Sequence, residues 1–206
     1  MRIGMVAMLV VGALTVSSCH ITDSMYETLN ASWTCTWVDN NQLAESAYCR
    51  TDDSDLTWYS YNLRPAAKMA LTAMLEREFQ PTDLTVSEAA TPVFTGGDET
   101  DIFYYWTTLP PGYLGITWCD DAVDASRCDQ HYVALAMGIP QMPLDPTDYT
   151  LCHESGHAVG LTHGAQAYKS ASNVDPELAC LRTGLLVYPT LGVLGPLNEI
   201  QIDATY

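Results

Sequence analysis

The most regular hydrophobic spacing in the chain begins at Pro65. Ala67, Leu71, Met74, Leu75 and Phe79 recur three or four residues apart, which predicts a helix over 65–79 with one apolar stripe. Pro65 suits the first turn, where its missing N–H costs nothing, and Gln80-Pro81 supplies a stop. Runs rich in β-branched and aromatic residues predict strands at Leu56–Leu63 before this helix and at 84–88, 101–107, 113–119 and 132–137 after it. Gly96-Gly97 and Pro110-Pro111-Gly112 separate them as turns. Tyr132-Val-Ala-Leu-Ala-Met137 is nearly all apolar, the pattern of a strand buried on both faces. Pro140, Pro143 and Pro146 then punctuate a loop, and Thr147 or Asp148 can cap a second helix. Asn198–Tyr206 reads as a terminal helix. No internal repeat is present.

The first residues have a different pattern. Arg2 gives a thin positive start, Ile3 to Val16 is almost wholly apolar, and Val16-Ser17-Ser18-Cys19 follows. The apolar run is too short to favour spanning a bilayer, and the small residues after it mark a cleavable signal. The ending resembles a lipobox, in which Cys19 is acylated and becomes the new N-terminus; an ordinary secretory signal is the alternative. Residues 1–18 are therefore expected to be a signal peptide of lipoprotein type and 19–34 a polar tether. The mature protein is expected outside the cell membrane, anchored through Cys19 or secreted.

Charge narrows the partners. The chain of 206 residues carries 8 basic and 25 acidic side chains, and such a surface argues against nucleic-acid binding, which needs basic patches. The remaining six cysteines, Cys35, Cys49, Cys119, Cys128, Cys152 and Cys180, form an even set, as disulfides in an exported chain require. Their order suggests Cys35–Cys49, Cys119–Cys128 and Cys152–Cys180, although proximity alone leaves the connectivity open. No C-x-x-C pair favours a cysteine metal site.

Residues 153–164 carry the chemistry: His-Glu-Ser-Gly-His-Ala-Val-Gly-Leu-Thr-His-Gly. On a helix His153 and His157 lie one turn apart on one face, so both imidazoles can reach one ion. Glu154 sits beside the first of them, placed to take a proton from an activated water. Gly160 lets the helix end and the chain bend, returning His163 as a third nitrogen. Three protein ligands with an open fourth position suit a catalytic zinc, whereas a structural site is closed by four.

The spacing at His153, Glu154, His157, Gly160 and His163 resembles the metzincin metallopeptidases. The resemblance implies one catalytic Zn²⁺ held by the three histidines, Glu154 as general base, and an α+β fold with an α/β-type upper lobe. That lobe would hold a twisted, mostly parallel sheet, a backing helix and the active-site helix. A small irregular C-terminal lobe would follow. Residues 35–206 then form the catalytic domain, with the upper lobe to about residue 160 and the lower lobe over 161–206. The family's Met-turn methionine is missing, since no methionine follows Met142. Leu181 is the positional substitute, with Leu185 or Leu186 as fallback, and a leucine of similar volume can serve. Tyr188 does not match the spacing of the family's extra tyrosine and is read as a lower-lobe residue.

Other candidates carry blander readings. His131 opens an apolar strand and is expected to be structural. Asp120, Asp121 and Asp124 lack a calcium-loop pattern and read as an acidic turn closed by Cys119–Cys128. The function implied is peptide-bond hydrolysis by a monomeric zinc metalloendopeptidase acting on a peptide or protein. Alternatives are a non-catalytic surface binding protein on the same scaffold and a metal-dependent amidohydrolase acting on a non-peptide amide.

Overall fold

The computed structural model describes residues 35, 49–124, 126–137, 148–167, 170–183 and 192–206. The signal and tether segments, Cys19, the proline-punctuated loop, Leu185, Leu186 and Tyr188 lie outside the described residues.

Among the described residues, six strands and three α-helices form a mixed α/β structure. The strands are β1 (Arg50–Thr51), β2 (Thr57–Tyr61), β3 (Ser87–Glu88), β4 (Ile102–Thr107), β5 (Gly115–Ala122) and β6 (Arg127–Ala136). The helices are α1 (Pro65–Glu78), α2 (Asp148–Ala158) and α3 (Pro196–Asp203), with a 3-10 helix at Pro176–Leu181. β6, β4, β2 and β3 are neighbours and all parallel. β1 adds in parallel at the start of β6, and β5 pairs antiparallel along its other side. A mostly parallel sheet is thus finished by one antiparallel edge strand.

Side-chain alternation explains the layering. Trp58, Ile102, Tyr104, Trp106, Val133 and Leu135 face the helices and join Leu71, Met74 and Leu75 of α1 and Leu151 and Ala158 of α2 in one buried core. The predicted stripe of α1 is the buried one, and Phe79 is buried just past its end. Burial of a leucine-sized side chain is worth about 1.5–3 kcal/mol, so α1 is held by its packing rather than by local propensity. Among the described residues no helix is long and apolar enough to cross a membrane.

Strand boundaries differ from the sequence pattern for physical reasons. β5 runs on past Cys119 into Asp120–Ala122 because a bulge keeps it paired to β6. β6 starts at Arg127 rather than Tyr132, since its polar beginning pairs with β1 and β5. The stretch 84–88 pairs only at Ser87 and Glu88. Disulfides join Cys35–Cys49, Cys119–Cys128 and Cys152–Cys180, the pairing suggested by order along the chain.

Candidate metal centre

Helix α2 ends in the way its glycine predicts. Gly160 has φ +91°, Gly160 N–H donates to the His157 carbonyl at 3.0 Å, and Leu161 N–H donates to the Gly156 carbonyl at 2.9 Å. This pair of bonds is a Schellman cap, and it requires the left-handed backbone that glycine adopts freely. The cap reverses the chain and carries His163 back over the last turn of α2.

The Nε2 atoms of His153, His157 and His163 form a triangle with sides of 3.1, 3.1 and 3.0 Å. The other ring nitrogens settle two of the tautomers. His153 Nδ1 lies 2.7 Å from the Cys180 carbonyl and His157 Nδ1 lies 2.8 Å from the Leu161 carbonyl. A carbonyl oxygen only accepts, so both Nδ1 atoms carry hydrogen and both Nε2 atoms present lone pairs. Lone pairs facing each other at this distance repel unless a cation stands between them.

Protons are poor candidates for that cation. Burial, and then the Cys180 carbonyl acting against it, leaves His153 lowered to about 4. His163 is lowered to about 3 by burial and by His153. His157 is pushed well below its ordinary value by burial and by both neighbouring imidazoles. The donor set fits a metal ion instead. For zinc–nitrogen distances of about 2.0–2.1 Å, tetrahedral ligands stand about 3.3–3.4 Å apart, and the triangle found here is smaller by only a few tenths of an ångström. Carbonyl partners on the distal ring nitrogen are the usual support of histidine ligands. Among the described residues no fourth His, Cys, Asp or Glu joins the group.

Glu154 is 5% exposed and reaches from α2 to β5. Its Oε2 accepts a hydrogen bond from Thr117 Oγ1 at 2.7 Å, and the same hydroxyl lies 3.0 Å from the Glu154 backbone carbonyl. Burial raises this carboxyl to about 7, with the Thr117 bond pulling the other way. Gly115 leaves the space it needs: a Cβ there would stand 2.5 Å from Glu154 Cγ. Thr117 and Gly115 carry no motif in the sequence, and only the packing of β5 on α2 reveals them.

The lower segment is tied to the same helix. Cys152–Cys180 bonds α2 to the 3-10 helix one residue before His153. Leu181 is fully buried, with Cδ2 and Cδ1 at 2.9 and 3.3 Å from where a Gly156 Cβ would stand. The leucine therefore packs on the turn of α2 between His153 and His157. The Tyr149 ring lies 5.7 Å from that of His153, and its hydroxyl donates to the Arg182 carbonyl.

The remaining candidates lie elsewhere. His131 is buried in β6, its Nε2 3.0 Å from the Cys49 carbonyl, and burial lowers it to about 4. Asp124 Oδ1 caps the turn by accepting from Ser126 N–H at 2.8 Å and Arg127 N–H at 2.9 Å. The expected acidic turn is thus carried by Asp124 alone: Asp120 and Asp121 belong to the bulged end of β5, where Asp121 stays paired to β6 beside the Cys119–Cys128 disulfide.

The class defined by these observations is a mixed α/β protein with a three-histidine site able to hold a metal ion. No family model matches the chain, and no curated protein matches it. Two solved structures of myroilysin are similar at low levels. One is 14% identical with a TM-score of 0.42, spanning 74% of this chain and 91% of that one. The other is 14% identical with a TM-score of 0.36, spanning 68% and 56%.

Proposed function

We propose that this chain is a zinc-dependent endopeptidase of the metzincin type, with His153, His157 and His163 holding one zinc ion and Glu154 as general base. The observation that carries the reading is the triangle of Nε2 atoms at 3.0–3.1 Å, beside a buried carboxyl on the next residue. Zinc, when bound, supplies Lewis acidity toward the scissile carbonyl and lowers the pKa of water. Glu154 accepts the proton of the attacking water and delivers it to the leaving amine. Thr117 keeps the Glu154 carboxyl in one place, and Gly115 admits it. A peptide adds alongside β5, the edge strand nearest Glu154, through main-chain hydrogen bonds. Leu181 takes the place of the Met-turn methionine as the hydrophobic floor under the histidines.

Glu154→Gln tests this reading. The variant keeps one zinc per chain and loses hydrolysis of a quenched-peptide library by orders of magnitude. Undiminished hydrolysis in that variant contradicts the proposal. A variant and a parent equally inactive on peptides, but active on small amides or on no substrate, favour the amidohydrolase or the binding protein. The disulfides support an exported location. Acylation at Cys19 is proposed with it, and mass spectrometry of the mature N-terminus distinguishes a lipid-bearing cysteine from plain cleavage. A single species of monomer mass in sedimentation supports the expected oligomeric state.

A further inference from the structure

The face of the sheet turned away from the helices carries a second feature, separate from the histidine site. On β4, Ile102, Tyr104 and Trp106 point into the core, so Phe103 and Tyr105 point the other way. Phe103 is the hub of a continuous aromatic layer. Its ring lies 5.2 Å from Tyr132, 5.5 Å from Phe94, 5.6 Å from Tyr59, 6.2 Å from Tyr61 and 6.3 Å from Tyr105. Tyr132 in turn stacks on Trp118 at 5.6 Å with 13° between the planes. The layer crosses β2, β4, β6 and β5. Tyr61 and Phe94 are 58% and 48% exposed at one side of it. Phe103 itself is buried beneath its neighbours, so the accessible part of the layer is the exposed Tyr61 and Phe94 with the half-buried Tyr59, Tyr105, Trp118 and Tyr132. An aromatic patch of this kind on a protein surface marks an interaction site.

Its rim is acidic. Burial raises the Tyr132 phenol, and Asp120 and Glu99 raise it further. Asp120 also acts on Tyr105, behind burial and Tyr132. Glu99, raised by burial first, feels Asp129, Asp121 and Asp120 around it. The ion pairs found among the described residues are Lys68–Glu88, Arg77–Glu78, Arg77–Asp148 and Arg127–Asp124, and none involves these rim carboxylates.

We propose that this face docks an arginine-rich polypeptide segment, whose guanidinium groups stack on the aromatic layer and pair with Asp120 and its acidic neighbours. Charge complementarity selects this occupant. A guanidinium is attracted both by ring faces and by carboxylates, and it can satisfy the two together. A second copy of a chain with net charge −17 would bring a like-charged rim against this one. A neutral glycan would stack on the rings but make no use of the charge. The face lies across the sheet from α2, so docking here is independent of the catalytic reading.

Binding of a fluorescein-labelled nona-arginine peptide to the full mature chain, followed by anisotropy at physiological salt, tests the proposal. Tyr61→Ser with Phe94→Ser removes the two most exposed rings without changing the charge. The double variant should bind about tenfold more weakly, and Asp120→Asn should weaken binding again. In the parent protein, docking should change tryptophan emission, and Trp118→Phe should abolish that change while the peptide still binds. An unchanged dissociation constant in the double variant means attraction to net charge alone and overturns the proposal. So does an emission change that survives in Trp118→Phe, failure of the parent to bind, or self-association that blocks the peptide.

Discussion

Among the described residues two groups of side chains bring potential ligand atoms within 4.8 Å of one another: His153, His157 and His163, and Asp52, Asp53 and Asp101. Proximity is the same, and the chemistry differs. In the histidine group the surrounding backbone occupies the distal nitrogens of His153 and His157 and leaves the Nε2 atoms facing a common point. In the aspartate group the protein consumes the oxygens of its buried member, Asp101. Asp101 Oδ2 accepts from Thr57 N–H at 2.7 Å and Thr57 Oγ1 at 2.6 Å, and Oδ1 accepts from Thr51 Oγ1 at 3.1 Å. Asp101 is a polar pin between β2 and β4, whereas the histidines are a site held ready for something outside the chain. What neighbours do with the spare valences separates a binding site from a structural cluster.

The largest effect expected from breaking the contrast is on metal content. His157→Ala should abolish stoichiometric zinc in the purified protein, while Asp101→Asn should leave one zinc per chain, both read by elemental analysis. The next largest concerns the support of His153. Replacing Cys152 and Cys180 together by serine frees the segment whose carbonyl orients that ring. Zinc affinity should fall about 10–100-fold, the usual loss for an outer partner of a ligand. Competition with a chromophoric chelator measures it.

A smaller effect separates positioning from folding at Glu154. Thr117→Val keeps shape but removes the hydroxyl, a bond to a charged acceptor worth about 1.5–3 kcal/mol. It should lower kcat about 10–100-fold with zinc content and KM little changed, and Thr117→Ser should restore the rate. Equal loss in the serine variant would point to packing instead.

The smallest effect is a pH dependence with opposite signs in two buried groups. His131 is lowered from 6.5 to about 4 by burial, so the folded state binds its proton less readily than the unfolded chain. Its contribution is present above pH 6.5 and is lost as pH falls toward 4. Asp101 is raised from 3.8 to about 6, chiefly by burial and against its threonine bonds. Its contribution is present below pH 3.8 and is lost as pH rises through 6. In urea titrations between pH 7 and 4, His131→Gln should flatten the acid loss of stability, and Asp101→Asn should steepen it.

The histidine site was legible where its logic is local. The four-residue spacing of His153 and His157, the glycine at 160 and the return of His163 all belong to one helix end, and short-range geometry governs them. The backing helix was legible for the same reason, since one stripe of Leu71, Met74 and Leu75 faces one core. The support of the site was not. Thr117 and Gly115 stand in a strand whose sequence has no catalytic pattern, and the Cys180 carbonyl is a backbone atom that any residue could supply. Two-residue strands such as β1 also escape detection, because their pairing is set by β6 rather than by their own side chains. The aromatic layer was half visible: alternating aromatics announced strands, but only the register of β2, β4, β6 and β5 puts the rings on one face.

X-ray absorption at the zinc edge of the purified protein reads the metal centre itself. One zinc per chain is expected, with three imidazole nitrogens and one light solvent atom at about 2.0–2.1 Å. A shell containing sulfur, a fourth protein ligand, or protein that takes up no zinc when the ion is supplied would contradict the proposed zinc site.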